Sequence, residues 1–172
     1  MADEPMISPE RDLIVVGVDG SEPSKNALLW GQFLAQATGA TLEAVAAWAH
    51  FTTYGAMGAG LAAIPPDWNP AEDASTALRA TVDEVFGDHR PAGLRLSVHE
   101  GNAAQVLIEA SQNARLLVVG NRGHGGFAGL LLGSVSSVCS AHAACPVVVM
   151  RGDTAPPGLP DVNPVSAATD AK

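Results

Sequence analysis

Cysteine is scarce in this chain of 172 residues, with only Cys139 and Cys145 present, six positions apart. Two cysteines at that spacing make neither a CxxC pair nor the dense framework that staples small secreted domains, so buried, reduced thiols are expected. Aromatic residues amount to 5%, too few for a platform on which nucleic-acid bases could stack. Positive charge is also in short supply: nine Lys and Arg face eighteen Asp and Glu, for a net charge of −9. An acidic surface repels a phosphate backbone, which argues against DNA or RNA as a partner. No apolar run is long enough to span a bilayer. The acidic, polar N-terminus lacks the pattern of a signal peptide. The expected compartment is the cytoplasm, with no membrane partner.

What is abundant is the small aliphatic residue, and 47% of the chain is hydrophobic. That is enough for one domain with a real core and too little for two of ordinary size. Residues 1–10 read as a flexible leader, 11–152 as the domain, and 153–172 as a disordered tail rich in Pro, Ala, Asp and Thr. Inside the domain, Leu13–Val18 is a continuous β-branched run, as expected of a strand covered on both faces. Asp19-Gly20-Ser21 breaks it, and Pro23 suits the first turn of a helix whose apolar positions recur from Ala27 to Ala37, with Gly39 as C-cap. Leu42–Trp48 is the second strand. Residues 50–70 form a long loop without clear period. A helix spans Ala71–Phe86, a strand Leu94–His99, and a helix Ala103–Ala110 capped by Asn102. Leu116–Val119 is the fourth strand. It runs into Gly120–Gly126 and a helix from about Ala128 to Ala141, with Leu131, Val135, Val138, Cys139 and His142 on one face. Pro146 precedes a fifth strand, Val147–Met150. Strands and helices alternating at this spacing imply a parallel, doubly wound sheet.

Ligands of open parallel sheets sit at the carboxyl ends of strands, where the winding reverses. The first and fourth strands are the most apolar, so they are expected side by side at the centre, with the Asp19 turn and the Gly120 loop at one crevice. Glycines there let backbone amides approach a ligand, and the following helix presents free amides and a positive dipole end to an anion. Arg122 and His124 add charge or hydrogen bonds, and Ser134 and Ser136 add hydroxyls. A Walker-type loop is missing, since Gly133-Ser134 has no lysine between. Gly123-His124-Gly125-Gly126-Phe127-Ala128 matches a loose dinucleotide pattern, but it follows the fourth strand, with no acidic residue about twenty positions on. Plainer readings stand beside these. Asp19 alone reads as a turn or cap residue; His142 with Cys139 is two lone ligands, most simply a packed helix; Glu72, Asp73, Asp83 and Glu84 form a solvated face; Met57 either covers a bound base or is exposed; His50 and His99 read as surface or strand-end residues.

Gly120-x-x-Gly123, nine residues, then Gly133-Ser134 resembles the G-2x-G-9x-G-(S/T) signature of ATP-binding universal stress proteins. Val16–Ser21, Gly101–Leu107 and His142–Val149 support it. The fold expected with that resemblance is α/β: a five-stranded, parallel, doubly wound, Rossmann-like three-layer sandwich with strand order 3-2-1-4-5. The resemblance further implies that Val18 and Asp19 face the adenine and that Ala47 contacts the base through its backbone. It places Gly120, Asn121, Arg122, Gly123 and His124 at the ribose and phosphates, with Gly133, Ser134, Val135 and Ser136 on phosphate oxygens. Asn121 stands where many relatives carry serine. Magnesium or manganese accompanies the triphosphate in that picture, and a homodimer pairs through Val147, Val148, Val149 and Met150. The implied function is ATP binding in a regulatory, stress-response role. Cyclic AMP binding on the same scaffold and slow ATP hydrolysis are the alternatives. No Gly-x-Ser-x-Gly elbow and no nucleophile–base pair is evident, so an enzyme is not expected.

Overall fold

The computed structural model describes residues 12–49, 69–123, 131–151 and 155–157. The leader, Met57 and His50 in the 50–70 loop, His124, and most of the tail lie outside the described residues. Five strands form one sheet in the order β3-β2-β1-β4-β5: β1 Leu13–Gly17, β2 Thr41–Trp48, β3 Arg95–Glu100, β4 Leu116–Gly120 and β5 Val147–Met150. All four pairings are parallel, and β1 and β4 meet at the centre with Val15 opposite Leu117 and Val16 opposite Val118. Their β-branched runs are what a two-sided burial demands: Val15, Val16, Leu117 and Val118 are shut off from solvent. The expected strand order is therefore the observed one.

Among the described residues, four α-helices cover the two faces: α1 Glu22–Thr38, α2 Pro70–Phe86, α3 Ala103–Ser111 and α4 Ser134–His142. Strand alternation divides the core. Ile14, Val16, Leu42 and Ala44 pack with Ala27, Leu28, Leu78 and Val82 of α1 and α2. Val15, Val45, Leu117 and Val119 pack with Ala104, Leu107 and Cys139 of α3 and α4. The helices start where side chains can hold their orphan amides. Ser21 caps α1, Asn69 caps α2, and Asn102 caps α3 through Ala104 N–H at 3.0 Å. Gly39 ends α1 with φ of 69°, a left-handed position that glycine takes without strain.

α4 departs from expectation. Residues 128–130 lie outside the described segments, and Leu131–Gly133 are not helical; α4 begins at Ser134 behind Gly133. The face expected from Leu131, Val135, Val138, Cys139 and His142 does not exist as one. Leu131 is 67% exposed and Val138 40% exposed, and His142 is exposed too, while Cys139 and Ser136 are buried. Apolar spacing ran across the helix start, and it missed a buried serine whose role is to tie a loop. Pro156, within the segment read as tail, is buried. Among the described residues, no helix is long and apolar enough to cross a membrane.

Gly31 shows how closely α1 lies on the sheet. A Cβ there would sit 2.5 Å from Val16 Cγ2 and 3.1 Å from Leu42 Cδ1. Neither neighbour can retreat within a packed core. Gly31→Val is expected to lower the unfolding free energy by about 1–3 kcal/mol through overpacking. Urea denaturation reads this; an unchanged midpoint would contradict the close approach.

Candidate functional site

From β1 the chain winds toward β2, and from β4 toward β5, so the carboxyl ends of the central pair flank the point of reversal. A cleft of about 280 Å³ opens there. Its walls are the turn after β1 and the segment after β4.

On the β1 side, Val18 N–H donates to Val45 O at 2.9 Å and prolongs the strand pairing. Asp19 then turns the chain. Its Oδ1 accepts from Ser21 N–H at 3.0 Å and from Ser21 Oγ at 2.6 Å. Gly20, with φ of 83°, supplies the left-handed step. The plain reading of Asp19 as a turn residue is thus half of its role, since the second oxygen, Oδ2, lies against Gly123.

On the β4 side, Asn121 N–H donates to Met150 O at 2.8 Å. Asn121 O accepts from Gly133 N–H at 2.7 Å and from Ser136 Oγ at 3.0 Å, which fastens the two ends of the 122–132 excursion together. Gly120 has no room for a side chain: a Cβ would lie 2.8 Å from the backbone carbon of Pro23. This glycine lets the start of α1 rest on β4. Ser136 is 2% exposed and its hydroxyl is committed to the carbonyls of Asn121 and Gly133, which leaves its backbone amide, rather than its hydroxyl, for a ligand.

The far wall is the N-terminus of α4. Ser137 N–H makes the first helical bond, to Gly133 O at 3.0 Å. Gly133 has no side chain with which to cap the amides of Ser134, Val135 and Ser136. Those donors and the positive helix end are suited to hold an anion. Arg122 lines the same cleft. Its Nε is buried and, among the described residues, has no hydrogen-bond partner. An unmet buried donor costs about 1–3 kcal/mol, and more when it carries charge.

Of the residues expected at the site, Val18, Asp19, Ala47, Gly120, Arg122, Gly123, Gly133, Ser134, Val135 and Ser136 line the cleft. Asn121 is not among its lining residues; it acts from behind through its backbone. The lining also includes Gly17, Ser24, Val45, Ala103, Leu107 and Val119, which were not anticipated. Val45, Leu107 and Val119 make an apolar floor. Strand alternation places Val45 on the face of Ala47, so period alone could have found Val45 once Ala47 was chosen.

A family model for the universal stress protein family matches residues 10–151. The chain belongs to the universal stress protein family. A universal stress protein of Mycolicibacterium smegmatis is 32% identical over 139 residues, covering 80% of this chain and 45% of that protein. The chain spans about half the length of the curated relatives it matches. The fold is similar to that of the universal stress protein UspA from Lactobacillus plantarum, with a TM-score of 0.61, 22% identity, and coverage of 81% of this chain and 97% of that one. A universal stress protein solved in complex with cAMP is 26% identical, with a TM-score of 0.51 over 81% of this chain and 95% of that one.

Behind the cleft of this universal stress protein, Cys139 is fully buried, and burial pushes its thiol up from 9.0 to about 11. It is therefore no thiolate nucleophile at neutral pH. Between pH 9 and about 11 the unfolded chain releases this proton while the folded one keeps it. Stability should fall as pH rises through that window, and fall less in Cys139→Ala. Urea unfolding across the alkaline range checks this; equal declines in both proteins would contradict it.

Proposed function

We infer that this universal stress protein binds an adenine nucleotide in the β1–β4 cleft, with ATP the first candidate, and that it acts through binding rather than turnover. The observation that carries this reading is the uncapped start of α4 on the cleft that Arg122 also lines; among the described residues the buried Arg122 Nε has no hydrogen-bond partner. A phosphate oxygen supplies what a guanidinium nitrogen and a helix N-terminus both lack. The floor of Val45, Leu107 and Val119 suits a flat apolar base. Val18, Asp19 and Ala47 edge that floor, where the family resemblance puts adenine. Residues 11–152 are taken as the binding unit.

The Ser136 hydroxyl is tied to Asn121 O and Gly133 O, which leaves it no base to activate it among the described residues. Among the described residues no three His, Cys, Asp or Glu come together as metal ligands. Magnesium or manganese would then arrive on the triphosphate itself. A second reading, cyclic AMP, is favoured by the cAMP complex of a relative; both ligands share base, sugar and phosphate. β5 is an edge strand, and an edge of Val147, Val148, Val149 and Met150 suits pairing with a second copy. A homodimer in a stress-response role is part of the same proposal.

Calorimetry should show ATP binding to the purified protein. Arg122→Met should weaken ATP binding by about 10- to 100-fold, the worth of a charge-assisted hydrogen bond, and leave adenosine binding nearly unchanged. No binding of any adenine nucleotide by the wild type would discard the reading. Competition between ATP and cyclic AMP ranks the two ligands. Sedimentation should report a particle of twice the 17.5 kDa chain mass; a monomer at all concentrations would remove the dimer.

A further inference from the structure

The glycines of the signature are not alike. A Cβ on Gly120 would meet Pro23 at 2.8 Å, while one on Gly133 would only touch the Arg122 Cα at 3.4 Å. A Cβ on Gly123 would fall on Asp19 Oδ2, with Asp19 Cγ 3.4 Å away. The carboxylate is the end of an exposed side chain and can move, but moving it disturbs the contacts of its other oxygen. Its Oδ1 is held by both the N–H and the hydroxyl of Ser21, and Ser21 is the cap of α1. The Ser21 hydroxyl in turn lies 3.5 Å from the Arg122 carbonyl oxygen. Asp19 thus stands between its own turn and the Cα of Gly123, with Oδ1 bonded to Ser21 and Oδ2 bonded to no group among the described residues.

We propose that Gly123 is a positioning residue for Asp19: its missing side chain is what lets the carboxylate stand at the cleft wall, and the ligand contact it secures is made by Asp19. A carboxylate only accepts hydrogen bonds and repels phosphate. The contact therefore goes to a donor on the ligand, an amino or hydroxyl group of its base or sugar. The second glycine of a signature associated with phosphates serves the other end of the ligand. This functional half rests on the nucleotide reading above; the packing half does not.

A double-variant cycle tests both halves. Without ligand, Gly123→Ala should lower Tm by about 2–4 °C, the equivalent of roughly one kcal/mol for a chain of this size, and should cause no further loss in an Asp19→Ala background. With ligand, Gly123→Ala and Asp19→Ala should each weaken ATP and adenosine alike, by about 10-fold. The double variant should bind no more weakly than Asp19→Ala alone. Losses that add in Tm and multiply in Kd, or a Gly123→Ala loss confined to ATP, would overturn the proposal. A wild type that binds neither ligand would discard the nucleotide reading and its functional half together, and the Tm cycle would then judge the packing half by itself.

Discussion

The parallel pairing of β1 with β4 is the constraint on which the rest depends. It brings two strand ends to one point, and the chain leaves them in opposite directions. The crevice between them is a consequence of topology. Its walls are then drawn together by contacts that tolerate no side chain: Pro23 on Gly120, and Asp19 on Gly123. Because β-branched core residues hold the two strands in register, the positions of Asp19 and Arg122 are fixed by packing well below the cleft.

The electrostatics of the site run against those of the molecule. A net charge of −9 repels an approaching anion, although beyond a Debye length, about 8 Å in physiological salt, that repulsion is largely screened. Close in, the balance changes. Three uncapped amides, a helix dipole and a guanidinium stand on one wall, and Oδ1 of Asp19, the carboxylate on the cleft, is taken up by two Ser21 hydrogen bonds. Local donors at contact distance outweigh a screened surface field. The three side-chain-capped helices have no such vacancy, which makes the missing cap on α4 a feature of the site and not of helix ends in this protein.

Much of the fold was legible because the signals were local. Runs of Val, Ile and Leu marked β1 and β4, Asn102 marked the start of α3, and Gly39 marked the end of α1. The start of α4 was not legible. Apolar spacing continued through Leu131, which is exposed, and hid Ser136, a buried polar residue whose partners lie on the loop. At the site, the glycine spacing and Asp19 located the crevice. What each glycine avoids could not be read, because Pro23 and Asp19 reach those positions only through the β1–β4 pairing. The buried Arg122 Nε was invisible for the same reason: burial of one atom is a property of tertiary packing.

The central claim is that α4 amides and Arg122 hold phosphate. A nuclear magnetic resonance titration of isotope-labelled protein reads those N–H groups one by one. With ATP, the amides of Ser134, Val135 and Ser136 and the Arg122 Nε–H should shift strongly, while adenosine should move the β1 and β2 ends and leave them nearly still. ATP shifts that spare all four groups and fall elsewhere would contradict the account.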